Sequence, residues 1–402
     1  MDHRDAGERG ARPAGGTSRT GGADDTDRTE HARPAQSAGR AAEAGHSEGA
    51  GRSEDANADR SEDAGAGRSP DTDADAGRSG SAGRTGGRVV GVAVAMTCLI
   101  TLMLLAFALP ATHSGPDHLR TGVLRSQAAA LPSGPEAQGG PRPELVRYES
   151  PAELRRAVRD REISGGFVVG ERAVEVYTAT AGGPPAANAL RAMGEGIAER
   201  AQLATEVTDL APFPSDDPQG TGLSAAALPM ILGGVIPAVG FLQLFPGRRR
   251  VGLRLAGAGL FSLLAGFAVA TVLSRVTGTL DGPLVPEALG LALGMAALSY
   301  TFLGLHALLG TVGLGAGVGT MMLLGNPLSG LATGGDWLPD GWATLGQLLP
   351  PGASGSLLRG TAYFDGAGTT APLLVLVGWV LFGLALALAA NLLPRRGSSK
   401  AA

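Results

Sequence analysis

Val89-Val90-Gly91-Val92-Ala93-Val94-Ala95-Met96-Thr97-Cys98-Leu99-Ile100-Thr101-Leu102-Met103-Leu104-Leu105-Ala106-Phe107-Ala108-Leu109 is a run of 21 residues without a charge. As a helix it extends about 31 Å, enough to cross the hydrocarbon core of a bilayer. Arg84 and Arg88 stand just before it. A cleaved signal peptide has a shorter apolar region close to the chain start, whereas 88 residues precede this one. The run therefore reads as a signal anchor, transmembrane helix 1, at 89–109.

Everything before it has a different composition. Residues 1–88 contain no Val, Ile, Leu, Phe, Trp, Tyr or Cys, and hold 17 acidic residues against 13 arginines. The remainder is neutral, with 20 of each sign, so the formal charge of −4 belongs to the first segment. Such a stretch cannot bury enough apolar surface to offset backbone entropy, and 1–88 is expected to be a disordered cytoplasmic tail.

The same counts exclude several classes. No basic patch suits a nucleic-acid partner. Cys98 is the only cysteine, which leaves no disulfide framework. The only lysine is Lys400, so the chain has no phosphate-binding GK[ST] loop, and G-x-G-x-x-G does not occur. His113, Asp117 and His118 lie in a Pro/Gly-rich loop without a third ligand at good spacing. No enzyme, no cofactor and no metal are expected.

Further apolar segments follow at Leu223–Phe245, Val251–Leu273, Pro286–Leu309, the short glycine-rich Thr311–Leu324, and Pro372–Leu393. They predict a polytopic membrane domain of five helices over 223–394, about six transmembrane helices in all, arranged one plus five. Charge supports that count. Beyond residue 222 one predicted side holds Arg248, Arg249, Arg250, Arg254, Arg395, Arg396 and Lys400 with no acid. The other holds Arg275 and Arg359 against five acids. That asymmetry makes Arg248–Arg250, Arg395 and Arg396 topology anchors and puts both termini, including 395–402, in the cytoplasm of a bacterium, with the multi-pass chain in its cytoplasmic membrane.

Between the first two spans, 110–222 has ordinary soluble composition. Ser150-Pro151-Ala152-Glu153 is a capping box with Pro at the first helical position, followed by an apolar stripe of Leu154, Ala157 and Val158. Phe167–Val169 is a short buried strand and Val174–Thr180 a half-buried one. Ala186, Leu190, Met193 and Ile197 mark a second helix, and Thr205–Leu210 a returning strand. Leu131–Pro143, rich in Pro and Gly, reads as a loop. The order strand, helix, strand, strand, helix, strand predicts a small α+β extracytoplasmic domain.

Two features inside the membrane region bear on function. His306 is an ionisable group within a span. The segment 326–364 breaks apolar pieces too short to cross with Asn326, Pro327, Gly330, Gln347, Pro350, Pro351, Gly352 and Arg359, and carries Trp337 and Trp342. That is the pattern of re-entrant or interfacial half-helices. Glycines at 290 and 294, and at 313, 315, 317 and 319, allow close helix packing, within the chain or between copies as a homodimer.

Asn326-Pro327-Leu328-Ser329-Gly330, Trp337-Leu338-Pro339, Leu345–Gly352 and Leu358-Arg359 to Tyr363-Phe364 together resemble the C-terminal region of ABC-2-type permease-like membrane proteins. The one-plus-five arrangement, with Pro212–Pro218 leading into Leu223, is similar to their phage-infection-protein (Pip)-like branch. The resemblance covers 89–394 and implies a permease subunit in the lipid bilayer, dimeric, exporting a substrate with a separate ATPase subunit in trans. The amphipathic docking helix usual before the first span in that family is missing, since Gly80–Arg88 has no apolar residue beyond Ala. The alternative is a non-transporting envelope scaffold or surface receptor that binds partners through its extracytoplasmic domain.

Overall fold

The computed structural model describes residues 76–113, 115, 119–127, 143–247, 250–339 and 341–392. The first helix, α1 (Ala76–His113), contains the apolar run and starts well before Val89. Its apolar, membrane-length part is Val89–Ala108, and the helix continues before it because adding turns to a formed helix is cheap. Residues 1–75 of the expected tail lie outside the described residues, as do Arg248, Arg249, Arg395 and Arg396. Arg250 is described and exposed.

A five-stranded sheet follows, with two helices. Its elements are β1 (Arg120–Leu124), β2 (Glu144–Tyr148), α2 (Pro151–Arg159), β3 (Gly165–Val169), β4 (Ala173–Thr178), α3 (Pro184–Ala201) and β5 (Ala204–Asp209). The strand order is β2-β1-β3-β4-β5, antiparallel only between β3 and β4. The register aligns Val123 with Phe167, Phe167 with Val176, and Val176 with Val207. Period-two alternation sends Val123, Phe167 and Val176 to one face, where Leu190 and Ala186 of α3 cover them. Leu124, Val168 and Tyr177 go to the other, under Leu154 and Val158 of α2. The capping box forms: Ser150 Oγ accepts from Glu153 N at 3.2 Å, and Glu153 Oε2 accepts from Glu149 N at 3.0 Å.

Two strands precede α2 where one was expected. Both are five residues long, and the edge strand β2 is mostly exposed, so neither shows a periodic apolar signal. Most of the loop expected at 131–143 lies outside the described residues.

The remaining elements are helical: α4 (Thr221–Ala225), α5 (Ala227–Leu244), α6 (Val251–Thr271), α7 (Leu284–Leu309), α8 (Thr311–Thr320), α9 (Trp342–Leu348), α10 (Pro350–Tyr363) and α11 (Thr370–Leu392). Wider π-helical turns extend α6 through Val276 and α8 through Gly325. Among the described residues five helices are long and apolar enough to cross a membrane, at Val89–Ala108, Thr221–Leu244, Val251–Val276, Leu284–Leu309 and Thr370–Leu392. The expected fifth crossing of the set, Thr311–Leu324, is not one of them. With its π turn α8 reaches only Gly325, about 22 Å at 1.5 Å per residue, and ends beside α10.

Helix α7 is the axis. Among the described residues α5, α6, α8, α10 and α11 all pack on it, and most of its length is buried. Glycines on it and on α8 make that approach possible. A Cβ on Gly294 would overlap Ser354 Oγ of α10, and one on Gly313 would overlap the Leu305 carbonyl. Gly317 likewise faces Leu305 and Phe302, whereas Gly315 and Gly319 look onto open space.

Arg254 is no simple interface anchor. It is 7 % exposed; its Nε and Nη2 donate to Phe245 O at 2.8 and 2.6 Å, and Nη2 also to Gly247 O at 3.0 Å. It caps the carbonyls left bare at the end of α5 and so fixes the short turn into α6. Arg254→Ala is expected to lower stability by about 2 kcal/mol, because charge-assisted hydrogen bonds to the carbonyls at the end of α5 are lost. Arg254→Lys should recover part of this, read by SDS-titrated unfolding in mixed micelles.

Candidate functional site

Over 326–364 the chain runs as irregular backbone and the short helices α9 and α10, which bring several of its polar residues together. Helix α8 stops at Gly325, which lies against the Pro351 ring of α10. The chain then runs without regular helix through Asn326 and Gly330 to Gly334, which abuts Gly182 of the sheet domain. Helix α9 returns from there. Leu348 O accepts from Trp379 Nε1 at 2.8 Å, and Trp379 is the tenth residue of α11, so α9 ends about 13 Å down that helix. At Leu349-Pro350-Pro351 the chain reverses, and α10 climbs back. Its last residue, Tyr363, donates from its hydroxyl to Thr279 O at 2.8 Å in the α6–α7 connection. The pair α9–α10 is thus a helical hairpin that turns back at Leu349–Pro351.

Sequence dictates the tightness of that turn. A Cβ on Gly346 would overlap Leu328 O, and one on Gly352 would overlap Gly346 O, so only glycine permits the approach. Pro350 and Pro351 open α10, where a missing N–H is harmless. Helix α10 reads Pro-Pro-Gly-Ala-Ser-Gly-Ser-Leu-Leu-Arg-Gly-Thr-Ala-Tyr and is buried on nearly every side despite few apolar residues. A helix of that composition cannot face lipid, and here α7, α11, the α8 terminus and the sheet domain surround it.

The non-helical backbone needs partners, and the polar side chains supply them. Gln347 Nε2 donates to Ser329 O at 3.4 Å, and Ser356 Oγ donates to Gln347 Oε1. Ser329 Oγ donates to Asn326 O at 2.8 Å. Gly330 adopts φ +64°, and its carbonyl and that of Leu331 accept from Arg359 Nη2 at 3.3 and 3.0 Å. Arg359 is 1 % exposed; its Nε has no hydrogen-bond partner. Among the described residues no carboxylate is in ion-pair contact with it, and Asp336 acts on it from farther away.

His306 belongs elsewhere. It lies one turn from the α7–α8 reversal at Gly310, at the far end of α7 from the sheet domain, with Nδ1 buried and without a partner. It joins no cluster with the hairpin residues.

Two buried carboxylates escaped sequence reasoning. Glu287, at the head of α7, is 0 % exposed and accepts from Ser274 Oγ and Gly282 N, each at 3.0 Å. The only sequence signal is an acid at the edge of an apolar window. Asp217 accepts from Thr221 N, Thr221 Oγ1 and Gly222 N, each at 2.8 Å, and from Thr279 Oγ1 at 3.1 Å. Burial pushes its carboxyl upward, but these donors outweigh burial and hold it below the ordinary aspartate range. Among the described residues no three His, Cys, Asp or Glu side chains converge as a metal site would require.

No protein-family model, curated protein or solved structure matches this chain. The reading below rests on its own residues.

Proposed function

We propose that the chain is the permease-like subunit of an export system of the ABC-2 type, with energy supplied by a separate ATPase. It lies in the bacterial cytoplasmic membrane with both termini cytoplasmic and the sheet domain outside. The single observation that carries this reading is the discontinuous crossing. Helix α8 stops half-way and meets the tip of a re-entrant hairpin, with irregular backbone and a buried Arg359 between them. Broken helices and intramembrane cations are what membrane proteins place on substrate paths, because irregular backbone there is tolerated only inside protein or beside a cavity. The missing phosphate-binding loop assigns the motor to another chain.

Topology is tested with single cysteines in a Cys98→Ser background. Glu171→Cys in the sheet domain should react with a membrane-impermeant maleimide on intact cells, and Pro246→Cys in the α5–α6 turn only after lysis. The reverse pattern would overturn the orientation. Transport is tested by deletion: export or drug susceptibility should change, wild type should restore it, and affinity-purified protein should carry an ATPase. With no phenotype and no ATPase, the scaffold or receptor reading would replace export.

A further inference from the structure

Besides apolar packing of Trp337 on its α3-side core, the sheet domain meets the re-entrant segment through three polar or backbone contacts. Arg161 Nη1 donates to Ser356 O of α10 at 3.1 Å, and its guanidinium lies 5.3 Å over the Phe364 ring. Ser164 Oγ donates to Asp336 Oδ2 at 2.9 Å. The backbone at Gly182–Gly183 lies against Thr333–Gly334. Two of these come from one short loop, Arg161 to Ser164, between α2 and β3.

Arg161 stands where a helix ordinarily ends on glycine. It follows Asp160, the C-cap of α2, and adopts φ +60°. A left-handed residue other than Gly, Asn or Asp is strained, and the surroundings must hold it there. Across the contact Asp365, next to Phe364, is also left-handed, with φ +51°. Left-handed backbone therefore flanks the Arg161–Phe364 stack from both chain segments, and the strain falls on Arg161. A glycine at 161 would relieve it and could not reach α10.

Beyond Ser356 the hydrogen bonds continue. Ser356 Oγ donates to Gln347, Gln347 to Ser329 O, and Ser329 Oγ to Asn326 O at the end of α8. An unbroken polar chain thus runs from the sheet domain through α10 and α9 to the point where the crossing breaks.

We propose that Arg161 is a latch by which the sheet domain holds the re-entrant hairpin in place, so that displacement of the Arg161–Ser164 loop releases α10. The inference is independent of what the protein transports, or whether it transports. It assigns the sheet domain a mechanical role: an event on its α2–β3 side is transmitted to the hairpin through one guanidinium.

The test is hydrogen exchange on the full-length protein in lipid nanodiscs. In Arg161→Gly, amides of Ser356–Tyr363 should exchange about tenfold faster or more. Those of α2, β3 and β4 should stay protected, because the substitution relieves backbone strain in the sheet domain. Unchanged protection over Ser356–Tyr363 would sink the latch. So would equal loss in sheet and hairpin, which would make Arg161 an ordinary stabiliser of its own domain. A second variant separates the contact from the side chain. Ser164→Cys with Asp336→Cys, added to Arg161→Gly and Cys98→Ser, should restore protection of Ser356–Tyr363 on oxidation and lose it on reduction. If the oxidised protein exchanges as fast as the reduced one, coupling through this loop is refuted.

Discussion

Arg359→Ala is expected to be the most damaging single substitution in the membrane region, lowering stability by about 3–5 kcal/mol, the range for leaving buried polar groups without their charged partner. The guanidinium donates to Gly330 O and Leu331 O, two carbonyls in a stretch that makes no helix, and Gly330 O accepts from Gly334 N as well. Truncation leaves Leu331 O without this donor and Gly330 O with Gly334 N alone, and opens a void against Leu331 and α10. Arg359→Met separates the terms, since it keeps most of the volume and removes the donors; it should recover only the packing part. Arg359→Lys returns a donor without the planar fork and should fall between the two. SDS-titrated unfolding of the purified protein reads all three. If Arg359→Met matched wild type, the guanidinium would not be holding the broken segment, and its burial would have to be explained by a ligand instead.

How far this site was legible follows from what each residue advertises. Pro350-Pro351-Gly352, Asn326-Pro327 and the short apolar pieces between them announce a break, because proline and glycine act locally and the span length is fixed by the bilayer. What the break packs against is a long-range fact. Nothing near Gln347 in sequence points to Ser329, and nothing near Arg359 points to Gly330. The arginine was counted as a charge on one side, yet the fold buries it within the hairpin. Glu287 was counted the same way and is buried as well. Charge counting suits solvated ends, and both residues lie one or two turns inside.

The sheet domain shows the same division. Helix α2 was readable from its capping box, β3, β4 and β5 from short strand-like runs within a residue or two of their ends, and α3 from its helical apolar spacing. Strands β1 and β2 were not, being short and, for β2, largely exposed. The order β2-β1-β3-β4-β5 pairs residues such as Val123 with Phe167, and no local pattern encodes a parallel pairing at that separation. Arg161 is the sharpest case. Left-handed backbone is normally signalled by glycine, and an arginine there hides it. Likewise the alternating glycines of α8 look equivalent in sequence. Only Gly313 and Gly317 meet α7; Gly315 and Gly319 do not, and periodicity alone cannot choose a face.

Asp217→Ala should cost about 3 kcal/mol at neutral pH, from charge-assisted bonds that no neighbouring side chain replaces. The carboxylate joins three parts of the chain. Thr221 and Gly222 begin α4, Thr279 lies between α6 and α7, and through the Thr279 carbonyl the knot reaches Tyr363 at the end of α10. Phe213 meets the Tyr363 ring edge-on at 5.3 Å and closes the same corner. The sign of the pH dependence follows from the depressed carboxyl pKa. An unfolded aspartate titrates near about 3.9. The folded state binds its proton only at lower pH, so the contribution is complete above the unfolded value and fades as pH falls through the folded one. The stability gap between wild type and Asp217→Ala should therefore be constant from pH 8 to about 5 and shrink below about 4. Asp217→Asn keeps one acceptor oxygen and should lose less than Ala, with a gap that narrows over the same acid range. Should the Ala gap stay constant down to pH 3, the carboxylate is not stabilised by its donors. Since α10 ends on this corner, Asp217→Ala should also speed exchange at Tyr363 while the Arg161 contact stays closed, which distinguishes loss of the corner from release of the latch.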